Sequence, residues 1–138
     1  MKTATPLAAL VLFIVACGTC LAMISVGNVS KERARELGIE LRAKANGPKE
    51  AWIELEFKPE GKLADFQHVS LEISDAGQFQ LGWTPLKAER TSSGNVVVRL
   101  MGNRAFLEKV TLRIVRGATG EVGDDIRLKD FVDFKDLR

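Results

Sequence analysis

The chain has 138 residues, enough for one domain and an N-terminal segment. Hydrophobic residues make up 46% and charged residues 28%, which is not a disordered composition. All 18 acidic residues and 19 of the 20 basic ones follow Val29, so that part carries 19 − 18 = +1, and this balance gives no electrostatic case for nucleic acid.

The first element is an apolar run, residues 7–29, inside a stretch without charge between Lys2 and Lys31. As a helix it extends about 35 Å at about 1.5 Å per residue, enough to cross a hydrocarbon core of about 30 Å. Three fates compete. The run stays as a membrane anchor, or it is a cleaved signal peptide with Lys2 as the basic region and residues 7–15 as the apolar one. In the third, Ile14-Val15-Ala16-Cys17 resembles a bacterial lipobox and Cys17 carries a lipid. A lipidated cysteine leads into a polar tether, whereas Leu21, Ala22, Met23, Ile24 and Val26 keep this run apolar, so the anchor is the preferred reading. Lys31, Arg33 and Arg35 favour keeping the domain inside, but the short N-tail and signal-like architecture favour export. The expected location is therefore membrane-anchored with an extracytoplasmic domain. Cys17 and Cys20 both fall in the run, so no disulfide is available to the domain.

Residues 30–37, SKERAREL, read as a charged, helix-prone connector with Ser30 as a cap. From residue 38 to 138 the pattern changes to period two. GIELRAKAN puts Ile39, Leu41 and Ala43 on one face. AWIELEFK puts Ala51, Ile53, Leu55 and Phe57 inward and Glu54, Glu56 and Lys58 outward. HVSLEIS buries Val69, Leu71 and Ile73 and turns Ser70 to water, and QFQLGW groups Phe79, Leu81 and Trp83 in the core. Pro85 makes the following LKAER an edge segment. VVVRLM, EKVTLRIVR and IRLKDF complete about seven strands, with GATGEVGDD as a solvated glycine-rich loop. The expected fold is all-β, an antiparallel β-sandwich. Strand number and length resemble the immunoglobulin-like architecture, although the Cys…Trp…Cys mark is missing and the chain has no tyrosine.

Few residues offer chemistry. His68 is the one histidine, and Ser70 on the same face lies two residues away, about 6–7 Å, too far for a nucleophile–base hydrogen bond. One histidine and no cysteine in the domain cannot make a zinc site. Asp124 and Asp125, in an oxygen-rich loop, are the weak calcium alternative. No cofactor and no catalysis are expected. Trp52 stands out by phase, because it falls with Glu54 and Glu56 on the polar face, where an indole can stack on a sugar or anchor a protein. The expected function is a membrane-tethered binding or structural domain with a protein partner, the alternative being a carbohydrate-binding or enzyme-accessory module that uses Trp52.

Overall fold

The computed structural model describes residues 25–73 and 81–138. The anchor, signal and lipobox readings, with Cys17 and Cys20, fall on residues outside these, as does Phe79. Two sheets face one another as a β-sandwich. The five-stranded sheet has the order β1 (Ser25–Asn28), β9 (Val122–Arg127), β8 (Val110–Arg116), β4 (Phe66–Ile73), β5 (Leu81–Leu86). The four-stranded sheet has the order β2 (Glu40–Asn46), β3 (Glu50–Phe57), β7 (Val96–Asn103), β6 (Glu89–Arg90). All pairs are antiparallel except β1 with β9, which is parallel. The chain changes sheet between β1 and β2, β3 and β4, β5 and β6, and β7 and β8. Pro85 lies on β5, an edge strand, where its missing N–H costs no inner ladder bond.

The core comes from alternation. Val69, Leu112, Ile114 and Ile126 meet Ala51, Ile53, Leu55, Phe57, Val96 and Val98 between the sheets, and all are buried. Leu63 and Phe66 close one end, where the Phe66 ring packs edge-on against Phe57 at 5.1 Å. Leu107, from the short helix α2 (Arg104–Leu107), closes the other end with Leu128 and Phe134. Helix α1 (Lys31–Leu37) occupies the connector. Ser30 accepts a hydrogen bond from the Arg33 N–H, Gly38 ends the helix in the left-handed region (φ 72°), and Ala34 faces the core.

Four details depart from the sequence pattern. The sheet begins inside the apolar run, since Ser25–Asn28 is a strand on β9 and Val29 is buried in the core. Nine strands are described where about seven were expected. The supposed loop around Asp124 and Asp125 is strand β9, and both residues are buried rather than solvated. The reason is ionic: Arg116 Nε donates to Asp124 at 2.7 Å, and Arg113 grips Asp125 with Nε at 2.6 Å and Nη2 at 3.0 Å. A strand whose polar residues are neutralised by its neighbours does not look like a strand on its own.

Trp83 is the fourth. Leu71 pairs with Thr84 but Ile73 pairs with Leu81, so β5 holds one extra residue and its phase shifts. Trp83 is half-buried on the outer face, with the Arg113 guanidinium 3.7 Å from its ring centre. Arg113 lies across Gly123, where a Cβ would come within 2.8 Å of its side chain. Ser70, opposite Arg113, faces outward as expected but is only 3% exposed.

This indole–guanidinium–carboxylate stack makes a measurable distinction. Asp125→Ala leaves Arg113 unpaired in a mostly dry position and is expected to cost about 3–5 kcal/mol. Trp83→Ala removes a partly buried ring and a cation–π contact and is expected to cost about 1–2 kcal/mol. Urea melts of the two variants check the ranking; a larger loss for Trp83→Ala would return that side chain to the core.

Candidate functional site

The outer face of the four-stranded sheet follows from the core. With Ala51, Ile53, Leu55 and Phe57 buried, β3 turns Trp52, Glu54 and Glu56 outward. Cross-strand register sets their neighbours. Trp52 stands between Lys44 and Met101, Glu54 between Arg42 and Arg99, and Glu56 between Glu40 and Val97, with Glu89 beyond Val97. Asn46, Glu50 and Asn103 form the next row.

Trp52 is 45% exposed and Met101 53% exposed, side by side. The Asn46 amide donates to the Met101 sulfur at 3.1 Å and to Glu50 at 3.3 Å, bordering this apolar shelf with polar groups. Beside Trp52 is an open depression of about 670 Å³, lined by Arg42, Ala43, Lys44, Ile53, Glu54 and Arg99. Trp52 therefore sits where the period-two reading places it. The sequence does not mark Met101, because its position beside Trp52 depends on the β3–β7 register, which no single segment reveals.

The charged rows are tied together. Arg42 donates to Glu40 at 2.6 Å, to Glu56 at 2.7 Å and to Glu54 through both Nε and Nη2. Arg99 donates to Glu54 at 2.9 Å and to Glu89 at 2.7 Å. Glu54 thus bridges two guanidiniums. The Arg42 guanidinium, and after it that of Arg99, holds the Glu54 carboxyl below the usual range. Glu56 is lowered by Arg42 and then by the Asn95 amide, and Arg42 itself is raised by Glu56 and Glu54.

The other sequence candidates lie elsewhere. His68 is exposed on β4, opposite Val115. Asp124 and Asp125 are adjacent on β9, so their side chains leave on opposite faces, each toward its own arginine. Among the described residues no three acidic or histidine side chains gather as a metal would need, and no helix is long and apolar enough to cross a membrane.

The carboxylate shifts have a defined sign. A folded-state pKa below the unfolded value stabilises the fold above the ordinary glutamate value of about 4.3, and that contribution is lost as pH falls through the lowered value. Carbon-detected NMR titration is expected to place the Glu54 and Glu56 midpoints below about 4.3 and to move Glu56 back up in Arg42→Gln. An ordinary Glu56 midpoint in the unmodified chain would mean that the ladder does not persist in solution. No family model, curated protein or solved structure matches this chain, so the site stands on its own geometry.

Proposed function

We propose that this chain is a membrane-tethered, non-catalytic binding domain of immunoglobulin-like architecture, with the Trp52 face as its working surface and another protein as its partner. The observation that carries the reading is the pairing of Trp52 and Met101, both strongly exposed, on one sheet face. Aromatic residues and methionine are enriched at protein interfaces, and a tryptophan inside a polar rim is the usual form of an energetic anchor. The immunoglobulin-like assignment is supported by two sheets joined through repeated sheet-changing connections and by β1 lying parallel to the last strand. The non-catalytic part is supported by His68, which stands exposed and opposite an apolar residue.

A second reading keeps the same face but changes the ligand. The depression beside Trp52 combines an indole with the polar side chains of Arg42, Lys44 and Glu54, the combination that stacks and hydrogen-bonds a sugar ring. Trp52→Ala is expected to cost at most about 1 kcal/mol of stability, as at other exposed positions, while abolishing capture of the partner by the full chain. Retained capture with unchanged stability would remove Trp52 from the site. Capture of an oligosaccharide in place of a protein would establish the second reading.

The tether is proposed from the apolar run. With Ser25–Asn28 in the sheet, residues 7–24 remain, 24 − 7 + 1 = 18 residues, near the short end of what a spanning helix needs. Extracytoplasmic placement of the domain is proposed with it, from the signal-like order of a basic residue, an apolar stretch and small residues. After carbonate washing the full chain is expected to stay in the membrane pellet, as is Cys17→Ser, because a spanning helix needs no acyl chain. Release of Cys17→Ser would make the protein a lipoprotein; a mature N-terminus near Met23 would make the run a cleaved signal.

A further inference from the structure

We infer that the Trp52 face receives a basic protein segment, one apolar side chain flanked by lysine or arginine; this rests on that face being the working surface. Its rows carry five carboxylates, those of Glu40, Glu50, Glu54, Glu56 and Glu89, against four cations, those of Arg42, Lys44, Arg99 and Lys58 just past the end of β3, so the face sums to 4 − 5 = −1. The whole chain sums to +2, so this face has the opposite sign to the rest of the molecule. The excess is ordered. Glu40, Glu56 and Glu89 share one row, and the two arginines that reach them come from the adjacent row, where both are also spent on Glu54.

This distribution separates the possible occupants. Nucleic acid and acidic glycans meet net repulsion. A second copy stacked face to face would oppose one net-negative face to another. A basic segment gains on both counts: its cations meet the carboxylate row, and its apolar side chain covers Met101 and the indole. The indole face also attracts a cation directly. The charge excess serves encounter and partner choice, while Trp52 and Met101 supply the buried contact.

The test uses the full chain, isotope-labelled in neutral detergent, and three probes: the tetrapeptide amide Lys-Leu-Lys-Lys, its Glu-Leu-Glu-Glu counterpart, and cellohexaose. The lysine peptide is expected to shift the Trp52 indole N–H resonance saturably, and to bind more weakly as salt rises from about 0.05 to 0.5 M. The double variant E40Q/E89Q, altered at two exposed carboxylates, is expected to weaken that binding by roughly five- to tenfold and to leave the fold intact. A response to the glutamate peptide or the oligosaccharide that equals or exceeds the lysine peptide's overturns the basic partner but leaves the working surface standing. Insensitivity to salt and to E40Q/E89Q also overturns it. If no probe moves the Trp52 resonance, both the inference and the working surface fall.

Discussion

Ala51, Ile53, Leu55 and Phe57 are held between the two sheets with almost no contact with water, and β3 carries them as an interior strand between β2 and β7. Strand geometry then forces Trp52, Glu54 and Glu56 outward. A one-residue slip would expose the four apolar side chains and drive an indole and two carboxylates into the core. The Trp52 face is thus positioned by the packing behind it. Met101, Arg42 and Arg99 arrive beside Trp52 and Glu54 because the neighbouring strands must match the register that this burial imposes.

Two kinds of ion pair serve two purposes here. Arg42 and Arg99 are about half exposed, and pairs of that kind add little to stability. Their contribution is to shape: long side chains that would otherwise sweep over the sheet are held on Glu54 and leave Trp52 uncovered. Arg113 with Asp125 and Arg116 with Asp124 are mostly shielded from water. For these pairs the penalty for a missing partner dominates, and they allow β9 to place two adjacent aspartates in a sheet.

Much of the sandwich was legible because most strands bury one face, and one wet face leaves an alternating pattern. Trp52 was legible for the same reason: its phase contradicts its chemistry. What escaped depended on partners distant in sequence. The first part of β9, before Ile126, was hidden because the arginines that satisfy Asp124 and Asp125 lie 8 and 12 residues away on another strand. β1 was hidden because SVGN continues an apolar run and has no alternation of its own. Trp83 was misplaced because a bulge changes the phase of β5 against β4, and spacing within one segment does not show an insertion in a ladder. The charged rows were visible as charges but not as a network, since pairing across β2, β3, β7 and β6 was needed to assemble them.

The parallel pairing of β1 with β9 has a mechanical consequence. Ser25 sits opposite Val122, so the chain enters at the end of the sheet where β9 begins and runs alongside it. Tension on the polypeptide ahead of Ser25 pulls β1 lengthwise past β9. The ladder hydrogen bonds lie across that direction and are loaded together, in shear, instead of opening one by one like a zipper. Resistance to such a pull is a matter of unfolding rate rather than equilibrium stability. Because Val29 and Ala34 follow directly and are both seated in the core, the load passes from four strand residues into the packing of the sandwich itself.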